Sequence, residues 1–211
     1  MPSTKPLREG SATKRAAILS AARELFLSDG FDRTSVDAVS ARAGVSKRTV
    51  YDYFGDKNTL LQAVVGDISD SLVAAVRRTI DATLTGLTEP AQLQDALTGF
   101  SMRIATDMLG SADYATLLKL LGGEGHLSEA PFRDAPEEAL AERLAVLGEA
   151  GLLTVADPRL AADHLIALTF GVVLNRHGST LITADERVRS LVAEGVRAFL
   201  RAYAGTRATA P

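Results

Sequence analysis

The chain of 211 residues contains no cysteine and only three histidines. The lack of cysteine excludes disulfides, thiolate nucleophiles and zinc–thiolate sites. Three histidines are too few for an imidazole-rich metal site, and we expect His126 and His164 to be solvated or hydrogen-bonded rather than ligating. No nucleophile–base spacing typical of an enzyme is present. We therefore expect a protein without a metal, a cofactor or a catalytic centre.

Long apolar runs are also scarce. The opening MPSTKPLREGS carries two prolines and no apolar segment, unlike a signal peptide. The longest strongly apolar run, Leu165 to Leu174, is about half of the roughly 20 residues that a membrane span needs. These features favour a cytoplasmic protein.

The charge is unevenly distributed along the chain. The net charge is −3, and 46% of the residues are apolar, as in folded proteins. Residues 1–58 contain ten Lys and Arg against seven Asp and Glu, a net +3, whereas residues 59–211 contain 13 against 19, a net −6. A basic front end on an acidic body permits an anionic partner for the first part alone.

Apolar residues recur at helical spacing, and no stretch alternates with a period of two over the length of a strand. Ile18, Ala22 and Phe26 form such a stripe on a helix predicted to begin near Thr13 and to end at Gly30. The sequence predicts an all-α protein of about nine helices, with a three-helix head and a larger helical body. We place the head at residues 12–58 and the body at 59–204, joined by a fourth helix from about residue 57, with flexible ends at 1–11 and 205–211.

Residues 33–64 read RTSVDAVSARAGVSKRTVYDYFGDKNTLLQAV. Two short helices joined by a tight turn at Ala43-Gly44-Val45 are typical of a helix-turn-helix, which presents its second helix to the DNA major groove. Basic side chains at the start of that helix can reach base edges, and Arg can pair with guanine. Hydroxyls there suit phosphates, as does a lysine at the start of the next helix. The residues concerned are Lys47 and Arg48 for bases, and Ser46, Thr49, Tyr51 and Lys57 for phosphates.

The stretch AGVSKRTVYDYFGDKNTLLQAV closely resembles the signature of the tetracycline-repressor-type (TetR) family of transcriptional regulators. The shared features are the small-residue turn, Val-Ser, a Thr-hydrophobe-Tyr triplet, Tyr-Phe, and a lysine followed by Leu-Leu, and the upstream LSDGFDRTSVDAVSARAGV fits as well. The resemblance covers roughly residues 13–66. It implies a homodimeric DNA-binding regulator, a repressor released from a pseudo-palindromic operator by a small-molecule effector.

Position by position, the resemblance implies base or groove contacts for three residues and phosphate contacts for four. The groove set is Lys47, Arg48 and Tyr51, and the phosphate set is Ser46, Thr49, Tyr53 and Lys57. Many family members have a small residue at the position of Arg48. This side chain therefore either reads a different base or contacts a phosphate.

The body carries no comparable signature, so its sites follow from composition and periodicity. The candidates for an effector pocket are Phe100, Met102, Met108, Tyr114, Phe170 and Asn175, with plain core packing as the alternative for each. The segment 165–174 is apolar nearly all round, which requires burial on more than one side. Either it is a central core helix, or it packs on its own core and, together with the last helix, on a second copy. We expect the second arrangement, with contacts through Leu165, Leu168, Val172, Leu191, Val192, Val196 and Phe199.

A rival hypothesis is an all-α protein that binds small molecules or acts as an adaptor, with a helix-turn-helix that does not function. The two hypotheses differ in one measurable property. Specific DNA binding weakens steeply as salt rises, because phosphate contacts release counterions, and a carrier shows no such dependence.

Overall fold

The computed structural model describes residues 5–108, 111, 113–116, 120, 135–177 and 185–205. Over those residues it contains α-helices and no β-strand, which confirms the predicted all-α fold. One isolated β-bridge joins Leu153 and Ala204. The helices are α1 (Lys5–Ser28), α2 (Val36–Arg42), α3 (Lys47–Phe54), α4 (Lys57–Thr83), α5 (Leu93–Arg103), α6 (Ala135–Glu149), α7 (Pro158–Ile166), α8 (Val172–His177) and α9 (Glu186–Tyr203).

The described residues fall into two compact units. The first contains residues 5–69, 116 and 120, and the second contains 70–108, 111, 113–115, 135–177 and 185–205. Helix α4 begins in the first unit and ends in the second. The predicted head boundary at residue 58 lies at the start of this helix, and it stays a prediction.

In the first unit, α1 packs on α2 and α2 packs on α3. The apolar stripe predicted on the first helix is buried, with Ile18 and Ala22 fully inaccessible. From the two short helices, Val39 and Val50 are buried as well. A small apolar core therefore fixes the orientation of α3 within its unit.

The start of α1 differs from the prediction. The helix begins at Lys5, whereas the sequence placed its start near Thr13 and a flexible end at residues 1–11. Pro6 is the second residue of the helix, within the first turn, where proline is tolerated because those backbone N–H groups have no helical partner. Residues 5–11, predicted as part of a flexible end, are therefore helical.

The turns of the first unit follow the predicted chemistry. Gly30, after α1, has φ of 86°, and Gly44, between α2 and α3, has φ of 66°, a region that side-chain-bearing residues rarely adopt. The Ser35 hydroxyl oxygen accepts from the Ala38 N–H at 3.1 Å and caps α2. Thr34 is buried, and its hydroxyl donates to the Gly30 carbonyl at 2.8 Å, with the Leu25 carbonyl 3.1 Å away.

The second unit is built around a larger core, in which α6 packs on α7 and α9 packs on α5. Two helices widen into π-helical turns: α5 continues into residues 104–108, and α7 continues into residues 167–171 before α8. Thr106 and Thr169 lie in these turns, and their hydroxyls donate to the carbonyls of Met102 (3.0 Å) and Leu165 (2.7 Å), four residues back. These bonds occupy carbonyls that the wider turn frees.

Among the described residues, α4 is long and apolar enough to cross a membrane by length and composition. Its most apolar window has a mean hydropathy of 1.4, and 44% of that window is buried within the protein. A buried core helix meets the same criteria, so this finding is weak evidence for a membrane span.

Candidate nucleic-acid interface and ligand cavity

Helix α3 has one buried face and one exposed polar face. Val50 and Phe54 are buried, whereas positions 47, 48, 51 and 52 are exposed. Positions 47 and 51 are four residues apart, as are 48 and 52, so the four positions share one side of the helix. The first unit therefore presents two cations, a phenol and a carboxylate to solvent along a single ridge.

The start of α3 is fixed by Ser46. Its hydroxyl oxygen accepts from the Thr49 N–H at 3.1 Å and lies 2.8 Å from the Thr49 hydroxyl. This is a typical N-cap, which satisfies a backbone donor that the helix leaves free. Ser46 and Thr49, two of the predicted phosphate contacts, therefore also hold the start of α3 in place.

Both cations on the ridge lie beside carboxylates. The Lys47 ammonium donates to Asp37 of α2 at 2.9 Å, and this hydrogen bond, followed by the charge of Asp37, raises the pKa of Lys47. The Arg48 guanidinium lies 3.8 Å from Asp52, one turn further along α3. All four side chains are at least half exposed, so these ion pairs contribute little to stability and a phosphate can displace them at low cost.

The two tyrosines of α3 have different surroundings. Tyr51 is 44% exposed, which is high for an aromatic side chain. Tyr53 is half-buried, and its hydroxyl donates to the Ser11 carbonyl at 3.0 Å and lies 2.7 Å from the Ser11 hydroxyl. Tyr51 is thus free to contact a partner, whereas Tyr53 ties α3 to α1.

Lys57, at the first position of α4, holds the loop between α1 and α2. Its ammonium donates to the carbonyls of Thr34 (2.9 Å) and Asp32 (3.3 Å) and lies 4.3 Å from the centroid of the Phe31 ring. An ammonium has three donors, so one remains for the predicted phosphate contact. Lys57 therefore positions this loop whether or not it meets DNA.

Asp52 is a ridge residue that the sequence analysis does not predict, because it considers only basic and hydroxyl side chains there. It is 66% exposed and lies between the positions of the two tyrosines. A carboxylate in a major groove is repelled by phosphates, but it can accept from the N4 amino group of cytosine. The signal that would have found it is its spacing of four residues from Arg48.

The second unit contains a cavity of about 180 Å³ that is partly open to solvent. Its wall is mainly apolar and comes from α4, α5, α6 and the region where α7 passes into α8. The two π-helical turns contribute Ile104 on one side and Phe170 with Gly171 on the other. Such turns occur often at functional sites, and here both border one space. The remaining lining residues are Val76, Phe100, Tyr114, Pro136, Glu137, Leu140, Ile166 and Leu174.

The six predicted pocket residues are only partly brought together. Phe100, Tyr114 and Phe170 line the cavity. Met102 is half-buried against the core, and Asn175 is exposed, so neither belongs to the lining. The side chain of Met108 lies outside the described residues.

Glu137 and Tyr114 form the polar part of this wall. Glu137 lies in the first turn of α6, and its Oε2 atom is buried. Burial raises the pKa of the Tyr114 phenol, and the negative charge of Glu137 raises it further. The phenol therefore stays protonated at neutral pH, and the cavity wall offers both a donor and an acceptor.

The histidines do not suggest a metal site within the described residues. His164 is exposed, and its Nδ1 lies 2.6 Å from the Tyr203 hydroxyl. His126 lies outside the described residues. No group of three His, Cys, Asp or Glu side chains able to hold a metal occurs in the part of the chain that the structure describes.

Two family models match this sequence in chain order. The model of bacterial regulatory proteins of the tetR family matches residues 18–64, and the model of the C-terminal domain of AefR-like transcriptional repressors matches residues 97–205. The second match alone covers more than half of the chain. The chain belongs to the TetR family. It is a TetR-family transcriptional regulator, as the sequence signature indicated.

Relatives of this TetR-family chain are themselves regulators. The HTH-type transcriptional activator FasR of Mycolicibacterium smegmatis is 37% identical over 70 residues, 33% of this chain and 32% of FasR. The HTH-type transcriptional regulator UidR of Escherichia coli is 25% identical over 197 residues, 88% of this chain and 90% of UidR. The matched region thus spans about a third of FasR and nearly all of UidR.

A solved structure shares the fold over nearly the whole chain. The flavonoid-responsive regulator FrrA superposes with a TM-score of 0.70 at 26% identity, covering 92% of this chain and 98% of FrrA. The all-helical body seen in the TetR-family chain is therefore shared with a regulator that responds to a small molecule.

Only part of the dimer face predicted for this TetR-family chain is accessible in the structure. Four of the seven residues, Leu165, Val192, Val196 and Phe199, are fully buried in the core of a single copy and cannot reach a partner. Leu165 was predicted from the apolar segment 165–174 and the other three from the apolar stripe of the last helix, and the structure shows that the core of their own unit covers all four. The three that remain partly accessible are Leu168, Val172 and Leu191.

Proposed function

We propose that this TetR-family regulator is a homodimeric repressor, acting in the cytoplasm, that binds a pseudo-palindromic operator through α3 and is released by a small-molecule effector. The observation that carries the proposal is the exposed polar ridge of α3. Its backing residues are buried and its start is capped, so the helix is rigidly held within its unit. A rigid helix with an exposed polar face suits insertion into a major groove.

In this proposal the ridge reads the DNA and the residues around it fix its register. Lys47, Arg48 and Tyr51 contact the groove, and Ser46, Thr49, Tyr53 and Lys57 contact phosphates. Since residues 1–58 carry a net charge of only +3, one copy neutralises few phosphates and binds weakly. When two copies are linked and one is bound, the effective concentration of the other near the DNA is raised, so the pair binds more tightly than one copy.

A dimer supplies that link and sets the form of the operator. The same patch meets itself in a two-fold dimer. Leu168, Val172 and Leu191 are the accessible apolar side chains of the proposed face. Two α3 helices in successive major grooves lie about 34–36 Å apart, so the half-sites are expected to be inverted and one helical turn apart.

The effector site in this proposal is the cavity of the second unit. Its wall includes Val76 of α4, and α4 is one continuous helix whose first turns belong to the first unit. A ligand that presses on Val76 therefore acts on the helix that directly follows α3 in the chain. To shift the population from 99:1 to 1:99, the effector must prefer the DNA-incompetent state about 10⁴-fold.

The DNA part is tested by fluorescence anisotropy with a duplex from upstream of the gene for this chain, titrated at several salt concentrations. The wild type is expected to lose affinity steeply with salt. Tyr51→Ala is expected to weaken binding at least about fivefold by removing an aromatic contact in the groove. Leu160→Ala is the matched control, since Leu160 is similarly exposed (47%) but lies on α7. The proposal is contradicted if Tyr51→Ala binds the duplex as tightly as the wild type does, or if the affinity of the wild type does not depend on salt.

The dimer part is tested by light scattering after size exclusion. Leu191→Glu places a charge on the proposed face and is expected to give a monomer that binds the full operator much more weakly. Leu160→Glu adds the same charge at an exposed leucine elsewhere and is expected to stay dimeric. A dimeric Leu191→Glu variant would remove this face from the proposal.

A further inference from the structure

The chemistry of the effector follows from the two polar residues of the cavity wall, Glu137 and Tyr114. We infer that the effector is an apolar molecule carrying a hydroxyl group, which donates to the Glu137 carboxylate and accepts from the Tyr114 phenol. This inference rests on the proposed effector role of the cavity. It names the functional group of the ligand and the two residues of this chain that hold it.

The apolar wall sets the size and character of the ligand. A dry apolar cavity of about 150 Å³ is known to hold a benzene molecule. The cavity here is about 180 Å³, and it is bordered by the rings of Phe100 and Phe170. One aromatic ring with a short alkyl substituent therefore fits without rearrangement of the core.

The polar pair sets the functional group. Glu137 and Tyr114 both line the cavity, and burial, followed by the negative charge of Glu137, raises the pKa of the Tyr114 phenol. A carboxylate offers about four acceptor positions, so it can accept from a ligand in addition to its contacts within the protein. The protonated phenol is a donor. A hydroxyl is the small group that both donates and accepts, and it satisfies the pair simultaneously.

The same charges exclude other ligand classes. A carboxylic acid enters the cavity as an anion, and the Glu137 carboxylate repels it in a poorly solvated setting. A pure hydrocarbon removes water from both polar groups and returns no hydrogen bond. The expected order of affinity is therefore hydroxyl above hydrocarbon and hydroxyl above acid.

The π-helical turns give an independent reason to place a ligand here. They lie on two different helices, yet Ile104 of one and Phe170 with Gly171 of the other border the same cavity. A wider turn costs hydrogen-bond geometry, and such turns persist mainly where they shape a functional site. Two of them around a space with a polar pair indicate a binding site rather than a packing fault.

The experiment uses three matched probes on the full chain: 4-ethylphenol, ethylbenzene and 4-ethylbenzoate, titrated by isothermal calorimetry without DNA. The wild type is expected to bind 4-ethylphenol at least about tenfold more tightly than either other probe. Glu137→Gln is expected to reduce the discrimination between phenol and benzoate about tenfold, since the amide still accepts but carries no charge. Tyr114→Phe is expected to lower the affinity for 4-ethylphenol and to leave that for ethylbenzene unchanged.

The control is Glu138→Gln. Glu138 is the next residue in the same helical turn, is exposed and does not line the cavity, so its replacement is expected to leave all three affinities unchanged. The inference is overturned if the wild type binds no probe, binds the three equally or prefers the benzoate. It is also overturned if Glu137→Gln behaves as Glu138→Gln does. Since DNA binding is measured separately by anisotropy, a failure here leaves the repressor proposal standing, and a loss of DNA binding leaves the probe affinities readable.

Discussion

The two units of the chain hold their candidate functional side chains in opposite ways. In the first unit they are exposed: Arg48 and Tyr51 lie on a ridge backed by a small core. In the second unit they line a cavity, and Phe100 and Phe170 are also among the buried core residues. Replacing an exposed side chain changes recognition and leaves the fold intact, whereas replacing a cavity residue changes packing as well. Stability and function are therefore separable in the first unit and coupled in the second.

The largest effect is expected from Gly195→Ala in α9, which tests how tightly the second unit is packed. A Cβ atom at Gly195 would lie 2.1 Å from the Leu168 carbonyl oxygen, in the π-helical turn that also carries Phe170. Backbone atoms must move to make room, which costs about 1–3 kcal/mol or more. Chemical denaturation and circular dichroism measure the loss.

The matched control is Gly99→Ala, on α5 of the same unit. Nothing lies within 4 Å of a Cβ atom at Gly99, so the substitution should stabilise the helix by about 0.5–1 kcal/mol. Opposite signs for the two variants are the expected result. Equal stability of the two would mean that the second unit tolerates added volume as freely as an exposed helix, and the comparison between the units would fail.

Arg48→Ala tests the first unit, where recognition is expected to change without loss of stability. If Arg48 pairs with a guanine, the variant loses about 1–3 kcal/mol of binding and its preference at that base pair. If it contacts a phosphate, affinity falls equally for all sequences and the salt slope decreases by about one. Anisotropy titrations against a set of singly substituted operators distinguish the two results.

Arg78→Ala controls for the loss of one exposed arginine, since Arg78 lies on α4 in the second unit. It is expected to leave operator affinity within twofold of the wild type. A thermal midpoint of Arg48→Ala several degrees below that of Arg78→Ala would show that the ridge also supports the fold, which breaks the proposed separation.

The difference between the units also explains what the sequence could predict. In the first unit, helix starts, turns and exposed residues each follow a local rule: Ser46 and Ser35 cap, Gly30 and Gly44 adopt positive φ, and the polar ridge of α3 is read from its spacing. The contacts of Lys57 with the loop carbonyls were not predictable, because they join segments more than twenty residues apart.

In the second unit the same rules located helices but not the cavity. A residue that lines a cavity and a residue in a solid core have the same apolar pattern, so Phe100 and Met102 were indistinguishable in sequence. Glu137 lies in the first turn of α6, where acidic residues are common, so its position in the sequence gives no sign of a cavity. The π-helical turns follow from tertiary packing and leave no period of their own.

Two substitutions of Ser46 are expected to have smaller effects, and together they separate a loss of stability from a loss of DNA binding. Ser46→Ala removes the cap of α3 and is expected to destabilise the first unit by about 1 kcal/mol. Ser46→Asp restores a cap but adds a negative charge where phosphate contact is proposed, so stability should recover while DNA binding falls further. Hydrogen exchange of the Thr49 amide and anisotropy measure the two properties. If Ser46→Asp binds DNA as well as the wild type, Ser46 does not face a phosphate.

The smallest effect is expected at Asp56, whose carboxylate accepts from the Thr59 N–H at 2.7 Å at the start of α4. This hydrogen bond, followed by one from the Thr59 side chain, lowers the pKa of Asp56. Because the folded-state pKa lies below the unfolded one, the stabilisation is complete above about pH 4 and is lost as the pH falls through the folded value. Asp56→Asn keeps a capping oxygen that does not titrate, so exchange of the Thr59 amide should lose its acid dependence in that variant.

The control is Asp67→Asn, at an exposed position further along α4, which is expected to retain the wild-type acid dependence at Thr59. Equal profiles in all three proteins would show that the first unit is held by its apolar core and not by its surface caps.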